Sequence, residues 1–83
     1  MVVRTVKTNP REAEEIMQLH KGFIFRNEKD AIKVNDILQF NVIKQNKPVL
    51  HRIESKLFVV TSVDDCMTAP VQRGFKLIGI RMM

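Results

Sequence analysis

The segment Ile37–Lys44, with the sequence ILQFNVIK, alternates in a way that predicts a strand with one apolar face. Its two faces are Ile37, Gln39, Asn41 and Ile43 on one side, and Leu38, Phe40, Val42 and Lys44 on the other. Asn35 and Asp36 before it are typical of a turn, and residues 45–48 after it predict a hairpin-like loop. We therefore expect this strand to pack its Leu38 face against the core.

On the amino-terminal side, residues 2–7 predict a short first strand and residues 10–21 predict a helix. Asn9 suits the N-cap, Pro10 suits the first helical position, and Glu12 suits the acidic position of a capping box. We expect Gly22 to end the helix in a left-handed conformation and His20 to lie on its buried stripe, together with Ala13, Ile16 and Met17.

On the carboxyl-terminal side, further strands are predicted at residues 23–26, 49–63 and 75–82, with a bend near Ser55. Residues 64–74 show the least periodicity. Strands joined by short connections, with a single helix, favour an α+β, mostly β fold. We expect a pseudo-barrel of five to six mainly antiparallel strands, with the helix plugging one opening.

Length and composition limit the class of protein. A chain of 83 residues holds one domain, here residues 1–83, because a second core could not be built from what remains. The lone cysteine, Cys66, cannot form an internal disulfide, and neither a signal peptide nor a membrane-length apolar run is visible. These features predict a cytoplasmic protein. The net charge of +5 favours polyanionic partners, although a solubilising surface charge remains an equal alternative.

Residues 17–40, MQLHKGFIFRNEKDAIKVNDILQF, resemble the central signature of the activating-signal-cointegrator homology (ASCH) family, in its short phage-type and bacterial branch. The matched positions are Lys21, Arg26, Asn27, Asp30, Val34, Asp36, Ile37 and Leu38. The resemblance implies a PUA-like fold whose cleft lies beside the lysine-bearing segment. It also implies RNA binding or, in one bacterial branch, deacetylation of N4-acetylcytidine-type nucleosides. The chain departs from the family pattern at Leu19, Gly22 and Ile24.

Two cations bracket the predicted strand at residues 23–26, and we expect them to share one cleft. These are Lys21 and Arg26, and an arginine can fork onto a phosphate or stack on a base. Four further cations could extend a basic rim: Lys7, Lys29, Lys33 and Arg73. The predicted partner is therefore RNA, a nucleotide or a modified nucleoside.

Structural roles for the same two cations stay open at this stage. Arg26 could instead pair with Asp30 or Asp36, and Lys21 could merely offset the helix dipole. Aromatic stacking partners look scarce: the chain has no Trp or Tyr, and its five Phe residues fall in strand patterns where core packing is expected.

Amide hydrolysis of an acetylated nucleoside is the enzymatic alternative, with Lys21 as the catalytic base. Ile24 has no hydroxyl to attack with, and only Asp64 and Asp65 offer a nearby acid, so a water would have to replace the nucleophile. A third alternative is a small protein-interaction domain that uses a sheet edge or the Met82 tail. No cofactor and no metal site is predicted.

Overall fold

The computed structural model describes residues 2–27, 31–65 and 75–83. Its strands are β1 (Val3–Thr8), β2 (Phe23–Asn27), β3 (Ile37–Lys44), β4 (Lys47–Pro48), β5 (Leu57–Asp65) and β6 (Phe75–Met82). An α-helix, α1 (Pro10–Gln18), follows β1, and a 3₁₀ helix, η1 (Arg52–Ser55), precedes β5. Four residues singled out from the sequence lie outside the described residues: Lys29, Asp30, Cys66 and Arg73.

The strands form one mixed sheet in the order β1-β3-β5-β6-β2, with β4 paired to β3 as a hairpin. Among the strands of the described residues, only the β1–β3 pair is parallel, and the other pairs are antiparallel. This confirms the expected mostly β, α+β fold with mainly antiparallel strands and one helix. The sheet is not closed: β1 and β2 are its two edges, and they leave a seam between them.

Strand β3 supplies the centre of the core, as its alternation predicted. Leu38, Phe40 and Val42 are fully buried on one face, and the ring of Phe40 meets the ring of Phe58 edge-on, with centroids 5.3 Å apart. Helix α1 covers this face with Ala13 and Ile16. The helix begins as predicted, because the amide of Glu12 donates to the Asn9 side chain at 2.7 Å.

The helix ends earlier than expected, at Gln18 rather than Lys21. The left-handed residue is His20, with φ 53°, and not Gly22. His20 is therefore exposed beyond the helix, and the expectation that it packs on the buried stripe is wrong. The amides of Leu19 and Lys21 both donate to the Glu15 carbonyl. The last turn of the helix is therefore capped by residues that precede Gly22. Histidine tolerates this conformation better than most residues.

The predicted strand over residues 49–63 is interrupted by η1, which places Ile53 in the core. Strand β3 pairs with β5 only at residues 37–39, so its later amides need other partners. The Glu54 carboxylate is one such partner, because it accepts a hydrogen bond from the Val42 amide at 3.0 Å. Helix η1 thus takes the place of a neighbouring strand beside the second half of β3. The alternation of residues 49–63 does not reveal this.

Candidate nucleic-acid interface

A groove of about 390 Å³ follows the seam between the two sheet edges; we call it the seam groove. It is lined by Arg4, Thr5, Val6, Lys7, Arg26, Ala31 and Ile32. Two of the predicted site residues, Lys7 and Arg26, therefore meet here, together with Arg4, which the sequence analysis did not select.

The Arg26 guanidinium is almost fully engaged with protein acceptors. Its Nη2 donates to the Lys7 carbonyl at 3.0 Å and to Glu12 Oε1 at 2.8 Å. Its Nη1 donates to the Phe25 carbonyl at 2.6 Å and lies 3.4 Å from Glu12 Oε2. Because Arg26 belongs to β2, Lys7 to β1 and Glu12 to α1, this one side chain connects both sheet edges and the helix.

Glu12 is held as a carboxylate by this arrangement. Burial opposes the charged form, but hydrogen bonds from Arg26 and Thr8, together with the charges of Arg26 and Lys21, hold the pKa of Glu12 below its usual range. The side chains of Arg26 and Glu12 are only 15% and 17% exposed. The pair therefore works as a clamp on the seam, and much of the Arg26 charge is neutralised within the protein.

The second cation of the seam groove, Arg4, is also paired. Its Nε lies 2.7 Å from Asp36 Oδ2, which also accepts the Lys33 amide at 3.0 Å. The pKa of Asp36 is lowered, first by the Arg4 hydrogen bond and then by the Lys33 amide. The alternative pairing of Arg26 with Asp36 is therefore wrong, because Asp36 belongs to Arg4; Asp30 lies outside the described residues.

Lys7 and Lys33 are exposed, and neither forms an ion pair with any residue the structure describes. Lys7 lies on the rim of the seam groove, and Lys33 follows Ile32 immediately after the groove lining. Neither charge is therefore neutralised by a carboxylate of the described residues, unlike those of Arg4 and Arg26.

Lys21 lies elsewhere, at a separate depression of about 210 Å³ that we call the Lys21 hollow. Its apolar wall includes Ile16, Phe58 and Ile80, and its cations are Lys21 and Arg81. The expectation that Lys21 and Arg26 share one cleft is thus not met. The two residues are separated by an odd number of positions, so along an extended segment they face opposite sides of the sheet.

Lys21 and Arg81 are brought together by strand pairing. Phe23 is opposite Gly79 in the β2–β6 ladder, and the Ile80 amide donates to the Gly22 carbonyl at 2.9 Å, which prolongs the pairing. Continuing this register places Lys21 across from Arg81. Neither side chain forms an ion pair within the described part of the chain, unlike Arg4 and Arg26. The Lys21 ammonium lies 5.2 Å from the centre of the Phe23 ring.

The sequence analysis misjudged the aromatic residues. Phe40 and Phe58 are buried as expected, but Phe23 and Phe75 are 44% and 43% exposed. Their strand patterns were taken to indicate core packing, and such patterns could not show that the outer face of the sheet is uncovered there. Ile24, on the inner face, is fully buried and contributes no group to either depression.

Comparison with known proteins leaves these sites to be judged on their own geometry. A scan against models of protein families finds no match to the chain, and a search of curated proteins finds none either. The resemblance to ASCH domains stays a prediction. Among residues 2–27, 31–65 and 75–83, no cluster of three or more potential metal ligands occurs, and no helix has the length and apolar character to cross a membrane.

Proposed function

We propose that this domain binds RNA or a nucleotide, with phosphate held between Lys21 and Arg81. The observation that carries the proposal is that these two cations meet at one hollow without an ion-pair partner among the described residues. An ammonium and a guanidinium side by side repel each other unless an anion lies between them, and arginine binds phosphate oxygens through two parallel hydrogen bonds.

The seam groove supports this function in a secondary way. Arg26 and Arg4 are engaged with Glu12 and Asp36, so releasing either for a phosphate would leave a carboxylate unpaired. Lys7 and Lys33 carry no such cost and can contact a passing nucleic-acid backbone. The net charge of +5 would draw a polyanion toward both surfaces. The ASCH resemblance and a cytoplasmic location are part of the same proposal.

Fluorescence anisotropy with a labelled single-stranded RNA of about twelve nucleotides tests the proposal. The Lys21→Ala, Arg81→Ala double variant should bind at least about ten-fold more weakly, and the slope of log K against log salt should fall by about 1.4 for two lost phosphate contacts. The matched control is Lys44→Ala, Lys47→Ala, which removes two exposed cations paired across the β3–β4 hairpin. Equal losses in both double variants would overturn the proposal.

Nucleoside amide hydrolysis is tested in the same preparation. Incubation with N4-acetylcytidine should release no cytidine, because Ile24 is buried and offers no nucleophile beside Lys21. Turnover that disappears in Lys21→Ala would replace the binding proposal with the enzymatic one.

A further inference from the structure

We propose that the outer face of the sheet beside Lys21 is a stacking platform for one nucleobase of single-stranded RNA. The platform consists of the Phe23 ring and of the hydroxyl groups of Thr61 and Ser62, which lie beside the ring at Gly79. The inference rests on the proposed function, because it places the base of a nucleotide whose phosphate contacts Lys21 and Arg81.

The Phe23 ring is exposed and packs against a neighbouring ring. It is 44% exposed, and Phe25, two residues further along the same strand face, contacts it edge-on with centroids 6.1 Å apart and an angle of 84° between the rings. A T-shaped neighbour does not stack in parallel on the ring, and the 44% exposure of Phe23 leaves part of the ring accessible to a base. Stacking on such a ring is tolerant of sequence, because every base has a π face.

Gly79 leaves the space beside the ring to the side chains of Thr61 and Ser62. It lies directly opposite Phe23 in the β2–β6 ladder, where any side chain would stand next to the ring on the same face. A methyl group built on Gly79 would collide with the Ser62 hydroxyl and lie 2.8 Å from the Thr61 hydroxyl. The missing side chain at Gly79 therefore makes room for two hydroxyl groups beside the Phe23 ring.

A β-bulge brings those hydroxyls to the same place. The β5–β6 register shifts between Val60 and Ser62, so that Thr61 is an extra residue and both hydroxyls approach Gly79. Thr61 and Ser62 are both exposed. Each hydroxyl can donate or accept, which allows it to contact the edge of a base that stacks on the Phe23 ring.

The cations stand one step along the strands from this patch. Lys21 precedes Phe23 by two residues and Arg81 follows Gly79 by two, a distance of about 7 Å along a strand. That distance is comparable with the separation between a base and its own phosphate. The Lys21 ammonium, 5.2 Å from the Phe23 ring centre, links the two halves of the site.

Quenching of 2-aminopurine in a single-stranded RNA tests the platform, and the chain has no Trp or Tyr to add background emission. We expect Phe23→Leu to abolish the quenching and to weaken binding about ten-fold. Phe75→Leu is the matched control, because Phe75 is 43% exposed on the same sheet face but far from Lys21. The Phe75→Leu variant should stay within about two-fold of the parent affinity. The Phe23→Tyr variant, which keeps an aromatic ring, should retain both the quenching and the affinity.

Two results would overturn the platform while leaving the proposed function intact. One is full quenching in Phe23→Leu, and the other is equal affinity for an abasic strand of the same length and charge. In both cases the Lys21→Ala, Arg81→Ala variant would still bind weakly. If that double variant bound normally, the proposed function itself would fail, whatever Phe23→Leu showed.

Discussion

Replacement of Arg26 by methionine separates a structural role from a ligand-binding one. Methionine keeps an unbranched side chain but removes the guanidinium that joins Glu12, the Lys7 carbonyl and the Phe25 carbonyl. The Glu12 side chain, which is 17% exposed, would then keep only the hydrogen bond from the Thr8 hydroxyl. The backbone amide of Glu12 would still donate to the Asn9 side chain. The two edges of the sheet would lose their described side-chain connection across the seam.

The size of the loss follows from the burial of the pair. Removing one partner of a fully buried ion pair costs about 3–5 kcal/mol, and the 15% and 17% exposure of these side chains reduces that to roughly 2–3 kcal/mol. For a domain of this size each kcal/mol lowers the melting temperature by about 4–8 °C, so we expect a decrease of about 10–20 °C.

Thermal and urea unfolding followed by circular dichroism measure this directly. The Glu12→Gln variant and the Glu12→Gln, Arg26→Met double variant complete a cycle, in which the double variant should lose clearly less than the two single losses combined. An Arg26→Met variant within about 0.5 kcal/mol of the parent, or an additive cycle, would refute the clamp.

Three further predictions concern stability. The pKa values of Glu12 and Asp36 are both lowered on folding, so their contribution to the free energy of unfolding should be complete above pH about 4.5 and should be lost as the pH falls through the folded-state pKa values. The urea midpoint at pH 6, 4 and 3 measures this loss. The Glu12→Gln variant should show a shallower decline than the parent. Asn9→Ala should cost about 1 kcal/mol in urea unfolding, because it removes the cap on the Glu12 amide, whereas an unchanged midpoint would show the helix start to be held elsewhere. Phe40→Ala, at the fully buried centre of the core, should cost about 3–5 kcal/mol, and a loss below 1 kcal/mol would contradict the packing described.

Local signals in the sequence predicted the elements well where one residue type decides the conformation. Asn9 and Pro10 fixed the start of α1, and the alternation around Phe40 fixed the buried face of β3. The end of the helix was harder, because His20 and Gly22 can both leave the helical region and only the competition for the Glu15 carbonyl decides between them.

The candidate site depended on contacts that no local pattern encodes. Arg26 meets Glu12 because β2 returns beside the helix, and Arg4 meets Asp36 because β1 runs parallel to β3. The pairing of Lys21 with Arg81 requires the β2–β6 register, which joins distant parts of the chain. Cationic residue types could be chosen from the sequence, but which of them are neutralised could not.

A titration of ¹⁵N-labelled protein with a short single-stranded RNA, followed by amide chemical shifts, tests the central claim most directly. We expect the largest shifts at residues 21–23 and 79–81, where the backbone carries Lys21 and Arg81. Shifts confined to the seam groove, or absence of any saturable shift at low salt, would contradict a phosphate site at the Lys21 hollow.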